Sequence, residues 1–315
     1  MNPKEVLNRL LAGEALSQEV MLEVMRSMMT GQMSSIQVAA ILVALRAKGE
    51  TVEELTAAAM VMRELSVRVN VQGLAPVLDT CGTGGDGRHT FNVSTAVAFV
   101  AAASGAVVAK HGGRAVSSSS GSAEVLEVLG VRLEHLTPER IRESLERFKV
   151  GFMYAPQHHL LMSHVIPVRK ALGVRTVFNL LGPLTNPAQA PYQLLGVFSP
   201  SLTIKLAQVL QRLGGSRALV VHGSDGLDEI TISGLTYVAE LKRGKILEYE
   251  LSPQDCGVQM GSLNELLVHN AEESAQMIRQ VLRNQPGSAL EIVVLNAGAA
   301  LYVADIVPDI RAGVL

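Results

Sequence analysis

Over residues 1–65 the apolar positions recur at helical spacing. Val6, Leu7, Leu10 and Leu11 make one stripe, and Val20, Met21, Val24, Met25 and Met28 make a second. Ser17 stands as an N-cap before the second stripe and Gly31 as its stop. Ser34 or Ser35 opens a third helix that ends before Gly49, and Thr51 with Glu54 forms a capping box for a fourth, to about residue 65. Helices joined by short loops pack as neighbours, so this part predicts a small bundle, its methionines serving core or dimer packing.

Residues 66–76 read as a linker. From Val77 the pattern becomes strand, helix, strand, helix: strands from 77 and at 106–109, helices to 104 and over about 122–129. Thr137-Pro138 caps a helix to 148, a strand follows at 150–154, and 156–173 reads as a helix interrupted by Pro167. A helical piece at 176–181, a strand at 192–198, a helix capped by Ser199-Pro200 to 213 and a strand from 217 come next. Alternation over 229–232, 236–241 and 246–251 predicts antiparallel strands at the far end of the sheet, with Lys242-Arg243-Gly244 as a turn. Asn270 with Glu273 caps a helix to 282, residues 288–303 form a small-residue helix, and Pro308 opens another. The predicted class is α/β. A small N-terminal helical bundle (1–72) precedes a larger α/β domain (73–315) with a central, mainly parallel sheet flanked by helices.

The 315 residues suffice for both domains, and 48% hydrophobic with 18% charged residues suits a globular chain. A formal net charge of −2 offers no basic surface for nucleic acid, and without Trp and with only 3% aromatics a base-stacking platform is excluded as well. Cys81 and Cys256 lack metal spacing and suit a reducing, cytoplasmic setting. No signal peptide or membrane-spanning pattern is present, so no membrane partner is expected.

The chemistry concentrates in two loops. Gly82, Gly84, Gly85 and Gly87 lie between a strand and a helix, where backbone N–H groups and the helix dipole favour an anion such as phosphate or pyrophosphate. The G-x-G-x-x-G spacing is met, but no Asp or Glu occurs between Asp86 and Glu124, so the dinucleotide reading lacks its ribose-binding acid. No Lys follows Gly87, which excludes a Walker loop. The second loop, residues 110–122, brings Lys110, Arg114 and five serines behind another strand. Asp228-Glu229 follows a third strand and a glycine turn, where two adjacent carboxylates can reach a cation. His158, His159 and His164 read as surface or packing residues, with no further ligand nearby to complete a metal site.

The stretches GTGGDGRHTFNVST, KHGGRAVSS, SGSAEVLEVLG, PVRKALGVRTVFNLLGPLTNPA and VVHGSDGLDE occur in that order. Together they resemble the anthranilate phosphoribosyltransferases of tryptophan biosynthesis, nearly end to end. The resemblance implies a Mg²⁺-dependent, homodimeric enzyme that joins phosphoribosyl pyrophosphate to anthranilate, its helices of about 160–185 returning to the N-terminal bundle. It implies phosphoribosyl pyrophosphate contacts at Gly82, Gly85, Asp86, Thr90, Asn92, Val93, Ser94, Thr95, Lys110, His111, Gly112, Gly113, Arg114, Ala115, Val116, Ser117, Ser118 and Ser122. Anthranilate is implied at Gly82, Gly113 and Arg169, and metal at Ser94, Asp228 and Glu229. Capping of the following helix competes for Asn92 and Ser94. No general base stands out; an aromatic amine is already nucleophilic at neutral pH.

Two departures stand against this family pattern. Gly113 occupies the position of the family's Asn, and Ser119 that of a Lys or Arg. Both bear on use of anthranilate more than on the phosphoribosyl donor. The family also continues beyond the position of Leu315 with a terminal helix. The alternatives are a phosphoribosyltransferase with another amine acceptor, a pyrimidine nucleoside phosphorylase-like enzyme, and a catalytically weak binding protein on the same fold.

Overall fold

The computed structural model describes residues 2–115 and 119–315. Four helices come first: α1 (Pro3–Leu11), α2 (Gln18–Met29), α3 (Ser35–Lys48) and α4 (Val52–Glu64). Ser17, Ser34 and Thr51 cap α2, α3 and α4 through their side chains, and the last two complete capping boxes with Gln37 and Glu54. Met21, Met25, Met28 and Met29 are buried among these helices, which settles their packing role.

The rest alternates strands and helices: β1 (Val77–Gly82), α5 (Val93–Ala103), β2 (Val107–Gly112), α6 (Ser122–Val128), α7 (Pro138–Phe148), β3 (Val150–Tyr154), α8 (Ala155–His158), α9 (Ile166–Leu172), α10 (Phe178–Leu181), β4 (Tyr192–Gly196), α11 (Thr203–Arg212), β5 (Arg217–Gly223), β6 (Thr236–Lys242), β7 (Lys245–Leu251), α12 (Ala271–Leu282), α13 (Ser288–Val303) and α14 (Ile310–Val314). The sheet runs β3-β2-β1-β4-β5-β6-β7. Its first five strands are parallel, β6 pairs antiparallel with β5 and β7 antiparallel with β6, so the predicted class holds. One apolar cluster joins α1–α4 to Val165, Val168, Val177, Phe178 and Leu181, and through Leu206 and Leu210 to the sheet. A second lies on the opposite face of the sheet, between α5, α12 and α13.

Three sequence expectations are corrected. Residues 156–173 form no single helix: α8, a 3₁₀ turn at Leu160–His164 and α9 follow one another, and Pro167 lies in the first turn of α9, where a missing N–H costs nothing. Residues 229–232 are no strand. Their backbone is claimed by side chains: Asn296 Oδ1 accepts the Ile230 N–H at 3.0 Å and Thr236 Oγ1 the Thr231 N–H at 3.1 Å. β2 extends to Gly112, so Lys110 and His111 belong to the strand and not to the loop behind it.

Glu54 ties the bundle together. It is 0% exposed. Its carboxylate accepts the N–H of Leu16 at 2.9 Å, the N–H of Thr51 at 2.8 Å and the Lys48 ammonium at 2.8 Å. Burial pushes its carboxyl up, but these donors outweigh burial and leave it below the usual range. Glu54→Ala strands two N–H groups and an ammonium, and should cost about 3–5 kcal/mol of stability in denaturant titration while leaving pyrophosphate affinity unchanged.

Candidate active site

In a doubly wound sheet, ligands bind beyond the carboxyl ends of the strands where the chain order reverses. Here β1 is flanked by β2 on one side and β4 on the other, so the reversal lies beside β1. The loop behind β1 carries Gly84, Gly85 and Gly87 at positive φ of 62°, 75° and 69°. Among the described residues, the N–H groups of Gly85, Asp86 and Gly87 have no acceptor. This is the donor array that the four glycines predict.

Asp228 presses against the floor of this loop. Its Oδ2 lies 2.5 Å from where a Cβ on Gly82 would stand, and it accepts the Gly84 N–H at 2.8 Å. Its backbone carbonyl overlaps the place of a Cβ on Gly196, the residue paired with Gly82 across β1 and β4. Both strand ends must therefore be glycine. Glu229 turns to the start of α5 and accepts the Ser94 N–H at 3.1 Å. Burial, Asp86 and Glu229 push the Asp228 carboxyl well up. Burial outweighs the pull of Lys110 on Glu229 and raises it to about 8.

Lys110, 4% exposed, reaches from β2 beneath β1. Its ammonium donates to the Thr80 carbonyl and to Ser94 Oγ, the latter at 3.0 Å. It thus serves the first loop, not the second. Burial lowers its pKa, opposed by Asp79, Cys81, Glu229 and Asp228. Asp79, fully buried on β1, accepts the His111 N–H at 3.2 Å. Its carboxyl is raised by burial despite Lys110. Cys81 is no nucleophile: burial and Asp79 drive its thiol up.

The remaining predicted residues divide between backbone and side-chain roles. Asp86 accepts the Arg88 N–H at 3.1 Å, the local loop bond expected of an Asp in a glycine turn. Thr90 is bridged to Leu267. Val93 and Thr95 are buried in α5; Val93 can offer a ligand only backbone, whereas the Thr95 hydroxyl has no hydrogen-bond partner among the described residues. Asn92 precedes α5, yet its side chain makes no cap: Nδ2 donates to the Ser120 carbonyl, and Oδ1 accepts from Ser120 Oγ and Ser274 Oγ at 2.9 and 2.8 Å. It joins the two loops and α12.

In the second loop, Gly112 lies against Ser122, whose Oγ meets the Gly113 carbonyl at 3.5 Å. The Ala115 N–H is held by Glu124 at 3.2 Å. Arg114 is exposed and engaged with Glu127 at 2.8 Å and Tyr154 at 3.2 Å. Val116, Ser117 and Ser118 lie outside the described residues. Arg169 is half-buried on α9; its guanidinium sits 5.5 Å over the Phe178 ring and among the described residues makes no hydrogen bond or ion pair. Lys170 beside it is exposed.

Residues 74–315 match the glycosyl transferase family a/b domain, and residues 4–66 match the helical bundle domain of the same family. The anthranilate phosphoribosyltransferase of Chromobacterium violaceum is 55% identical over 314 residues, covering 100% of this chain and 92% of that protein. The chain belongs to the anthranilate phosphoribosyltransferase family. The crystal structure of the Thermus thermophilus member superposes with a TM-score of 0.92 at 45% identity, over 98% of this chain and 92% of that one. The Saccharomyces cerevisiae member, solved in complex with PRPP and Mg, gives 0.88 at 27% identity over 99% and 91%.

Sequence reasoning left out four contributors to this phosphoribosyltransferase site. Asp79 and Gly196 are hidden in apolar strands, and Ser274 is nearly two hundred positions from its partner Asn92. Arg175 lies in a quoted motif and bonds the Gly85 carbonyl. His158 and His159, read as surface or packing residues, are buried, whereas His164 is exposed.

His111, His158 and His159 meet at one wall. The His111 and His159 ring centroids are 5.2 Å apart. His111 Nδ1 pairs with the Gly182 carbonyl at 3.1 Å and His158 Nδ1 with the Val67 carbonyl at 2.6 Å, while all three Nε2 atoms are buried without a partner among the described residues. Burial, then His159, with His158 and Lys110 adding, holds His111 down to about 3 against the Gly182 carbonyl. Burial and His158 hold His159 down to about 4 against the Thr185 carbonyl. At these two imidazoles the folded state therefore binds fewer protons than the unfolded one below the unfolded pKa of 6.5. Their contribution to stability falls as pH drops from about 6.5 towards 4, so thermal melts of His159→Gln should lose less stability over that range than the parent.

Proposed function

We propose that this enzyme transfers the phosphoribosyl group of phosphoribosyl pyrophosphate to anthranilate, giving N-(5-phosphoribosyl)anthranilate and pyrophosphate, in tryptophan biosynthesis. One observation carries the reading: a loop with unclaimed N–H groups and the crowded carboxylates Asp228 and Glu229 come together at the reversal of the sheet. The loop suits the pyrophosphate, and the carboxylates suit the cation that accompanies it. Among the described residues no three His, Cys, Asp or Glu side chains group to hold a metal ion by themselves. Mg²⁺ fits such a pair, because it keeps waters and substrate phosphate oxygens in its shell. Asp228 and Glu229 would hold it, and Ser94 Oγ, which accepts from Lys110, keeps a second lone pair with which to join them. When bound, the ion supplies positive charge to the leaving pyrophosphate.

The chemistry asks little else of the protein. The C1–O bond to pyrophosphate breaks, the anthranilate nitrogen forms the C1–N bond, and the amine proton leaves afterwards. The loop N–H groups hold the pyrophosphate in ground and transition states alike, Lys110 adds positive charge beneath the leaving group, and no covalent nucleophile is needed. Arg169, a half-buried guanidinium without a carboxylate partner, suits the carboxylate of anthranilate. Gly113 adds no side chain; among the described residues a Cβ there would meet only Ala155, at 3.8 Å. We divide the chain at about residue 72. A cytoplasmic location agrees with two unpaired, buried cysteines, and no helix of the described residues is long and apolar enough to cross a membrane.

We also place a second copy of the chain against α1 and α3. Leu11, Ile36 and Val43 there are 71%, 81% and 44% exposed on two packed helices. Ile36→Asp should convert a dimer to monomer in light scattering.

With purified protein, phosphoribosyl pyrophosphate and Mg²⁺, anthranilate fluorescence should decay, and only when all three are present. Asp228→Ala with Glu229→Ala should slow that decay by about a hundredfold or more. A flat trace from folded protein that binds phosphoribosyl pyrophosphate overturns anthranilate as the acceptor.

A further inference from the structure

The glycine loop has a support outside its own strand and helix. Arg175 lies between α9 and α10, on the segment whose apolar residues pack with the N-terminal bundle. Its Nη2 donates to the Gly85 carbonyl, and its guanidinium carbon lies 4.2 Å over the Phe198 ring. Phe198 is itself anchored: its N–H donates to Thr83 Oγ1 at 3.2 Å, and the Thr83 N–H donates to the Gly196 carbonyl at 2.9 Å. The backbone that carries the ring is thereby held just beyond β4, and the ring packs against the apolar cluster of the bundle. Among the described residues Arg175 has no carboxylate partner.

A trans peptide holds its C=O and the following N–H in opposite directions, and the chain has no cis bond. Fixing the Gly85 carbonyl on Arg175 therefore aims the Asp86 N–H away from Arg175. That N–H is one of the three left without an acceptor. Gly84 and Gly85, both at positive φ, cannot hold this peptide by themselves, because glycine turns freely. A flat guanidinium stacked on a ring offers one orientation, which a lysine ammonium would not.

We propose that Arg175 is a positioning residue for the phosphoribosyl donor: stacked on Phe198, it orients the Gly85–Asp86 peptide so that the Asp86 N–H meets the pyrophosphate. It thereby ties the loop to the segment that carries Arg169. The proposal rests on the pyrophosphate-loop reading above.

The test uses the full chain, with inorganic pyrophosphate in Mg²⁺ buffer as the binding probe. Arg175→Ala should weaken pyrophosphate binding, and raise KM for phosphoribosyl pyrophosphate, by about tenfold or more, the loss expected for one hydrogen bond to a charged group. Because that bond exists in ground and transition states alike, kcat should stay within about threefold. KM for anthranilate and the melting temperature should hold. Arg175→Lys should resemble the Ala variant, Phe198→Leu should shift pyrophosphate affinity in the same direction, and guanidinium ion should partly restore Arg175→Ala. Wild-type affinity in Arg175→Lys makes the residue a point charge and overturns the proposal. Unchanged pyrophosphate affinity in Arg175→Ala, or an affinity loss matched by a fall in melting temperature, overturns it too. A parent protein that binds no pyrophosphate overturns the loop reading itself, and with it this proposal; one that binds pyrophosphate without consuming anthranilate refutes only the acceptor.

Discussion

Charge is unevenly stored at the carboxyl edge of the sheet. Asp79, Asp228 and Glu229 converge near one buried ammonium, that of Lys110, with Asp86 close to Asp228. Buried like charges are expensive, and proteins relieve them by taking protons, cations or hydrogen bonds. Here the hydrogen bonds come from backbone: Gly84 on Asp228, Ser94 on Glu229 and His111 on Asp79. They fix where each carboxylate points, yet Asp79, Asp228 and Glu229 remain raised. An arriving cation lowers that cost, so charge that burdens folding becomes binding free energy. The site is built short of positive charge, which suits a substrate delivered together with a metal ion.

The same constraint explains two glycines that no turn requires. Gly82 and Gly196 end neighbouring parallel strands, where branched residues would pack better. The Asp228 side chain occupies the place of one Cβ and its carbonyl the place of the other. Strand packing yields here to a carboxylate that must reach the loop. Lys110 follows similar logic: the extended backbone of β2 aims its stem under β1, and the same residue in a loose loop would point to water.

Local chemistry was readable wherever it was local. Ser17, Ser34 and Thr51 sit before their helices in sequence as in space, and the β1 loop declares itself by its glycines. Reading failed where partners come from far along the chain. Residues 229–232 alternate like a strand, but Asn296 and Thr236 take their backbone. Asn92 stands at a cap position, but Ser120 and Ser274 take its amide. Arg114 and Lys110 appeared as equal cations of one loop. Strand register separates them, burying Lys110 under the first loop and leaving Arg114 to Glu127 at the surface. Periodicity says which face a residue takes and nothing of which distant group waits there.

The helical bundle, which offers the site no residue of its own, still shapes it. Its apolar cluster holds α9 and α10, so Arg169, Arg175 and the carbonyl of Gly182 move with the bundle. The ring of His111, on β2, meets that carbonyl, and Gly85, beyond the end of β1, meets Arg175. The donor loop is thus braced by the element that also carries Arg169. Two substrates must bring their reacting atoms into line, where misplacement by about 1 Å is costly. With Arg169 proposed for the acceptor and the β1 loop for the donor, a single brace across both sides would fix their separation through covalent geometry and packing, which a pair of independently flexible loops could not do.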